Sequence, residues 1–293
     1  MKLQRALSKF HDHYLGTDPS EYYYVLVRKL GALAGWYKAS GAALADEINQ
    51  TFPTTYPAPG GASIEQMAAQ AKSLETFVTT AAPQCFPADV ASAEAFSKFK
   101  NQLLHVATLW GRFAEHMASD PNFFAFAHAN LNIDNAFWWR DASGALDAGV
   151  IDWAMCGVKE VTMSIDFCLF SAGWEVMEHH QAKLLQAFSE AYAAAGGPTL
   201  PLEELSIRFD MALALSLAGQ LGVPPQLYRG IKSGEWPSVK SMKDDERVDG
   251  DTDTAFLMRS YLGNLVYRLT RWKRDNVYRK LCAWAGVAAA AGT

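Results

Sequence analysis

The chain has 293 residues, 50% of them hydrophobic and 12% aromatic, so it can bury a substantial core. A net charge of -5 argues against a broad nucleic-acid or anionic-membrane surface. Four cysteines without a Cys-x-x-Cys pair indicate neither a zinc site nor a disulfide framework. Residues 1–16 lack the apolar core of a secretory signal, and no apolar run approaches the roughly 18 residues that span a bilayer. We therefore expect a cytoplasmic protein without nucleic-acid or membrane partners.

Apolar residues at spacings of three and four predict amphipathic helices through most of the chain. Ser63 and Gln66 have the spacing of a capping box at the start of one of them. The predicted helices cover residues 21–48, 63–80, 89–118 (one helix or two joined ones), 162–179, 181–195, 202–220 and 254–285. A Pro/Gly-rich connector occupies 51–61, and a polar, turn-rich connector occupies 229–253.

The pattern changes between residues 123 and 153, where short aromatic or β-branched runs replace the helical periodicity. The runs NAFWWRD and AGVIDWA are separated by DASG, which predicts a turn between two strands. The fold class is therefore mainly α with a small β insertion. Loops between short strands are common positions for binding and catalytic residues, because the strands hold the loops in place.

Polar residues in this insertion follow a catalytic-loop spacing. His128, Asn130, Leu131 and Asn135 in HANLNIDN match H-x-D-L-x-x-x-N, except that an amide replaces the Asp. Asp152 ends an apolar strand seventeen residues after Asn135, and Trp153 follows it. Asp166 stands fourteen residues further on, in SIDFCLF.

Segment 122–170 resembles the aminoglycoside phosphotransferase and choline kinase-like family. The sequence pattern of that family is H-G-D-x-x-x-x-N, followed by a strand that ends in Asp-[Trp/Phe] and then by a helix that carries an Asp. The resemblance includes specific motif residues at 128–153. Over the rest of 25–285 it is limited to the general pattern of helices. It implies a single domain, 1–293, resembling the C-terminal lobe of a kinase-like fold. The rival interpretation is an unrelated helical bundle with an incidental hairpin.

The resemblance also implies a reaction, the ATP-dependent transfer of phosphate to the hydroxyl of a small molecule. Asn135 and Asp152 would hold Mg²⁺, a cation that prefers hard oxygen ligands. His128 would support the loop through backbone contacts, and Asn130 would occupy the position of the base. Asp166 would orient the loop or, as the simpler alternative, cap the following helix.

Two departures from the family pattern leave two functions open. An amide such as Asn130 cannot accept the proton of a substrate hydroxyl. The sequence before residue 120 contains neither a Gly-rich phosphate-binding loop nor a strand that carries a nucleotide-binding Lys. Lys29 is predicted to belong to the first helix. We therefore expect the nucleotide-binding lobe to be missing. We also expect the chain to bind Mg²⁺ weakly, and to bind ATP only if such a lobe is supplied. The chain is then either an impaired phosphotransferase or a non-catalytic, pseudokinase-type binding or scaffold protein.

Overall fold

A computed structural model describes residues 10–12, 15, 18–52, 54–58 and 62–289. Most of the amphipathic start (1–16) and part of the connector 51–61 lie outside the described residues. The chain is 68% helix and 7% strand, with two small antiparallel sheets. The predicted class, mainly α with a small β insertion, is confirmed.

The elements follow one another in chain order. The first six helices are α1 (Ser20–Ala39), α2 (Ala42–Thr51), α3 (Ile64–Thr76), α4 (Ala88–Ala91), α5 (Ala93–Ala107) and α6 (Trp110–Ser119). The strands are β1 (Phe124–Ala127), β2 (Ala136–Arg140), β3 (Leu146–Val150) and β4 (Gly157–Glu160). The remaining helices are α7 (Val161–Leu169), α8 (Trp174–Ala194), α9 (Leu202–Gln220), α10 (Pro224–Gly230), α11 (Glu246–Asp249), α12 (Asp253–Arg274) and α13 (Val277–Ala285).

Contacts cluster in two compact units, whose three boundaries fall after Pro57, inside α6 and inside α9. The first unit comprises 1–57 and 114–212, and the second comprises 58–113 and 213–293. The first contains α1 packed on α8, together with all four strands and α7. The second contains α3 against α5, and α12 against α10, α11 and α13. The predicted catalytic-loop segment lies entirely in the first unit.

The close packing of α1 on α8 depends on a glycine. A Cβ at Gly31 would stand 2.6 Å from the carbonyl oxygen of Phe188, so only Gly lets the two backbones approach this closely. Leu26, Leu30 and Ala34 on α1 are buried. The first helix is therefore fixed in position beneath the β insertion, where it also contacts β1 and β3.

Two of the predicted long helices contain a break that periodicity does not reveal, whereas 202–220 is one helix, α9, as predicted. The predicted helix 21–48 is wrong in its middle, because Gly41 adopts φ +80° and separates α1 from α2. Residues 254–285 likewise form two helices, separated at Asn276, which has φ +55°. The predicted end of a helix at 179 is also wrong, since α7 stops at Leu169 and α8 begins at Trp174.

Two further predictions concern the second unit. The capping box at Ser63 and Gln66 is confirmed, with both reciprocal hydrogen bonds present. The connector 229–253 is less open than its polar sequence indicates. It contains a 3-10 helix, Ser233–Ser238, and the side chain of Trp236 is fully buried with its Nε1 donating to the Ile231 carbonyl at 3.0 Å. None of the helices that the structure describes is both long and apolar enough to span a membrane.

Candidate functional site

Two strand pairings bring the ends of the catalytic-loop segment together. β2 pairs with β3 as the predicted hairpin, with Ala136 opposite Val150. β1 pairs with β4, which the sequence analysis did not predict, with Ala127 opposite Gly157. The loop 128–135 leaves β1 and enters β2, and the segment 151–156 leaves β3 and enters β4. The two loops therefore lie side by side.

His128 connects these two loops. Its Nε2 lies 2.8 Å from the carbonyl oxygen of Ile151, the residue that precedes Asp152. Because the partner is a carbonyl, Nε2 carries the hydrogen. The ring is buried and meets Trp153 edge-on, with centroids 4.9 Å apart. Burial lowers the pKa of His128, although the hydrogen bond to Ile151 opposes that change. A neutral His128 thus holds the backbone beside Asp152.

Asn135 connects the loops a second time. Its backbone carbonyl accepts a hydrogen bond from the N–H of Ile151 at 3.0 Å. Its side-chain Nδ2 donates to the carbonyl oxygen of Asn130 at 2.7 Å. That acceptor fixes which end of the amide is nitrogen, so the Oδ1 of Asn135 is the atom left to bind a cation.

Asn130, the residue predicted to occupy the base position, is held by its neighbours. Its carbonyl accepts from the side chains of Asn135 and Asn132, the latter at 2.9 Å. Its Oδ1 accepts from the Nδ2 of Asn132 at 2.6 Å. The oxygen of the Asn130 amide is therefore engaged, which leaves the amide nitrogen, a donor, for any ligand.

The sequence analysis missed Asn132, which orients this amide. Asn132 is fully buried, between the buried apolar residues Leu131 and Ile133. A polar residue between apolar ones in a short loop was the available signal, because a buried amide is expected to hydrogen-bond. The preceding turn is tight, with Ala129 at φ +46°.

Asp152 directly follows the strand end at which His128 and Asn135 meet the backbone. It adopts the left-handed conformation, with φ +61° and ψ +62°, and its side chain is exposed. The neighbouring side chains Ile151, Trp153 and Met155 are 42–48% exposed. The carboxylate thus stands at the surface among apolar side chains.

Asp166 is placed differently from the other candidates. The prediction that it caps the following helix is wrong, because α7 begins at Val161 and Asp166 is buried within it. The cap is Glu160, whose carboxylate accepts from the backbone N–H groups of Thr162 and Met163. A role for Asp166 in orienting the loop stays a prediction.

The two predicted metal ligands carry oxygen atoms of the type that Mg²⁺ binds. Asn135 offers one amide oxygen and Asp152 one carboxylate, both of the hard type that Mg²⁺ takes. Within the described ranges, no group of three or more His, Cys, Asp or Glu side chains could hold a metal ion. Such a site fits Mg²⁺ only when water or phosphate oxygens supply the remaining ligands.

A buried ionic cluster lies at the end of the β1–β4 sheet where Phe124 pairs with Glu160. Arg208 on α9 donates to the carbonyls of Met117 and His116 at 2.9 and 3.0 Å and to Glu204 at 2.5 Å. Its guanidinium also lies 4.0 Å from the centre of the Phe123 ring and 3.6 Å from the carboxylate of Glu160. Burial raises the pKa of Glu160 to about 7, even though Thr162 and Arg208 favour its charged form.

This cluster anchors the strands that carry the loops, since Phe123 precedes β1 and Glu160 ends β4. The sequence analysis missed it. A single basic residue in the apolar stretch SIRFDMALAL was the available signal, because buried charges are found paired.

Comparisons of the chain with protein-family models, with curated proteins and with solved structures find no match. The resemblance to the phosphotransferase family therefore rests on the residues of segment 122–170 alone.

Proposed function

We propose that this chain carries a phosphotransferase site of the aminoglycoside phosphotransferase and choline kinase type, impaired in its chemistry. The observation that carries the proposal is the double connection between the loops. His128 binds the Ile151 carbonyl, and the Asn135 carbonyl binds the Ile151 N–H. These contacts hold Asn135 next to Ile151, the residue that precedes Asp152, at the open end of the hairpin.

The roles follow from the chemistry of phosphate transfer to a hydroxyl. When bound, Mg²⁺ would neutralise phosphate charge, and Asn135 and Asp152 are the residues that would hold it. The exposed apolar side chains beside Asp152 suit the non-polar part of a ligand. Asn130 lies where the substrate hydroxyl must lose its proton, but its amide nitrogen can only donate to that oxygen.

The amide at position 130 limits the rate. General-base catalysis contributes typically about 10²–10⁴-fold, and that contribution is lost here. Positioning and electrostatic stabilisation account for most of phosphoryl transfer, so its loss weakens the reaction without removing it. ATP is the expected phosphate donor only when a nucleotide-binding lobe is supplied.

The second candidate is a non-catalytic, pseudokinase-type binding or scaffold protein. The Asn130–Asn132 hydrogen bond favours it, because that bond occupies the oxygen that a base would use. Lys29, the sequence's nearest equivalent of a nucleotide-binding Lys, lies on α1 and pairs with Asp147 at 2.6 Å. In the part of the chain that the structure describes, the elements that precede β1 are helical.

The test restores the base. In a fusion of the chain to a nucleotide-binding lobe of this family, Asn130→Asp should raise ATP-dependent turnover by about 10²–10⁴-fold. Adding Asp152→Asn should abolish the gain, because it removes the charged metal ligand. A fusion that stays inert with Asn130→Asp would favour the non-catalytic candidate.

The 293-residue chain provides the matched control. We expect no measurable ATP turnover from it with or without Asn130→Asp, because the described residues contain no phosphate clamp. Turnover by the unmodified chain that disappears in Asp152→Asn would contradict the proposed impairment.

A further inference from the structure

One buried guanidinium connects three elements of the first unit. Arg208 of α9 donates through Nε to Glu204 at 2.5 Å, and its Nη atoms donate to the carbonyls of His116 and Met117 on α6. Its Nη1 also faces the carboxylate of Glu160, the last residue of β4, at 3.6 Å. The side chains of Arg208 and Glu160 are 1% and 0% exposed. Any change in the charge of Glu160 therefore takes place away from water and beside a permanent cation.

The two oxygens of the Glu160 carboxyl are bound unequally. Its Oε2 accepts from the backbone N–H groups of Thr162 and Met163 and from the Thr162 hydroxyl. Its Oε1 is buried and accepts no hydrogen bond from any residue that the structure describes. A buried charge without enough donors is costly, and a proton on Oε1 removes that charge. The oxygen that faces Arg208 is thus the place where Glu160 takes up a proton.

The charges around Arg208 balance only when one further proton is bound. Two carboxylates, Glu160 and Glu204, share a single guanidinium. The Nε2 of His116 lies 2.7 Å from the Glu204 oxygen that Arg208 also binds. With His116 neutral and both acids ionised, these four side chains (the Arg208 cluster) have a net negative charge. Because buried charge is stable only when it is compensated, the cluster shares one proton between Glu160 and His116.

The other ionisable groups near the cluster lie on the same elements. They are Lys159 on β4, Asp166 and Cys168 on α7, Glu203 and Asp210 on α9, and Arg112 and Glu115 on α6, whereas β1 has none. Lys159 points away from Glu160, because successive side chains alternate along a strand. Arg208 is the cation that favours ionised Glu160, but burial outweighs it and raises the pKa of Glu160 to about 7.

We propose that the Arg208 cluster is a switch that responds to pH near neutrality. At lower pH Glu160 holds a proton and Arg208 pairs with Glu204. At higher pH both carboxylates are charged and compete for Arg208, which moves towards Glu160. The side chains of His116 and Glu204 are 27% and 30% exposed, so the released proton has a path to water.

The geometry requires only a small movement of the guanidinium. Nη1 has two hydrogens, of which one is given to the Met117 carbonyl. A shift of less than about 1 Å brings the other to charge-assisted hydrogen-bond length from Glu160. The switch lies where Phe124 pairs with Glu160, and the loops 128–135 and 151–156 leave the opposite end of the same sheet. It would operate whether or not those loops bind phosphate or metal.

The experiment is an NMR titration of the 293-residue protein from pH 5 to pH 8.5. The amides of Thr162 and Met163 donate to the Glu160 carboxylate, so their chemical shifts report its charge. We expect both amides and the Nε–H of Arg208 to change together, with one midpoint near pH 7. Glu160→Gln should remove this transition. The proposal is overturned if these amides show no transition between pH 6 and pH 8, or if the transition persists in Glu160→Gln.

Glu204→Gln tests the competition for Arg208. It keeps an oxygen that accepts from the guanidinium but removes the second negative charge, so Arg208 becomes more available to Glu160. We expect the midpoint to fall by about 0.5–1 pH unit. The matched control is Glu203→Gln, the exposed neighbour on α9, which should leave the midpoint unchanged. Equal midpoints in these two variants would also overturn the switch. If Glu160→Gln does not fold, this comparison decides, because both of its variants keep Glu160.

Discussion

The side chain of Asn132 donates to the Oδ1 of Asn130 at 2.6 Å, so a buried residue sets the direction in which the Asn130 amide points. Asn132→Ala removes this hydrogen bond and a second one, in which the same Nδ2 donates to the Asn130 carbonyl. We expect a loss of about 1–2 kcal/mol in the free energy of unfolding, because Asn135 still satisfies that carbonyl. Urea denaturation measures it.

The control for Asn132→Ala is Asn101→Ala, which replaces an exposed Asn of α5. Surface substitutions of this kind usually change stability by less than about 0.5 kcal/mol. Equal effects of the two variants would mean that Asn132 does not order the loop.

His128 should stay neutral and structural. His128→Phe keeps an aromatic ring against Trp153 but removes the hydrogen bond to the Ile151 carbonyl. We expect a cost of about 1–2 kcal/mol, whereas His128→Gln, which retains an N–H donor, should recover part of it. Chemical denaturation of both variants checks this. A His128→Phe protein as stable as the wild type would show that the bond is unimportant.

The pH dependence of His128 has a definite sign. Its pKa is lowered in the folded state, mainly by burial, so the unfolded chain takes up a proton first as the pH falls. The stability contributed by neutral His128 is present above its ordinary pKa of 6.5 and declines as the pH falls towards the folded value. His128→Gln should remove this decline, which denaturation between pH 5 and 7.5 would detect.

Glu160 should give the opposite slope. Burial raises its folded pKa from 4.5 to about 7. Its favourable contribution is full below pH 4.5 and is lost as the pH rises through 7, a change on the order of 3 kcal/mol. Between pH 5 and pH 7.5 the wild type should therefore lose more unfolding free energy than Glu160→Gln does.

The matched control for Glu160 is Glu203→Gln, an exposed carboxylate in the first turn of α9. It should leave the pH profile of unfolding unchanged. If Glu160→Gln also ran parallel to the wild type across this range, the buried carboxylate would be charged throughout.

Arg208 should be among the most costly positions in the first unit. Arg208→Met removes the hydrogen bonds to the carbonyls of His116 and Met117 and to the carboxylate of Glu204. Because each buried acceptor left without its donor costs about 1–3 kcal/mol, we expect a loss of roughly 3–5 kcal/mol. Arg208→Lys keeps the charge but not the planar set of donors, and should recover only part of the loss. Thermal unfolding measures both, and a nearly neutral Arg208→Met would contradict the anchoring role.

The hairpin could be predicted from sequence because its signals are local. Three consecutive aromatic residues mark β2, and Asp141 sets the turn through its side chain, which accepts from the N–H of Ser143 at 2.8 Å. The β1–β4 sheet could not be predicted in the same way. Its strands are four residues each and are separated by the loop and the hairpin, so their pairing depends on tertiary contacts.

The candidate site, too, could be predicted only where its signals are local. The spacing of His128, Asn130, Asn135 and Asp152 is visible in the sequence, and the structure brings the loops that carry them side by side. The hydrogen bond that orients Asn130 and the buried partners of Arg208 are not visible, because neither is encoded by a motif. The start of the helix near 162 was predicted within one residue, but the capping role was assigned to Asp166 and belongs to Glu160.

Manganese binding tests most directly the proposal that Asn135 and Asp152 form one cation site. Electron paramagnetic resonance of free Mn²⁺ titrated with the protein should reveal one weak site, and Asp152→Ala should remove it. Asp147→Asn, on strand β3 of the same hairpin, should leave it intact, because Asp147 is paired with Lys29. A wild-type protein that binds no Mn²⁺, or an affinity unchanged in Asp152→Ala, would contradict the account.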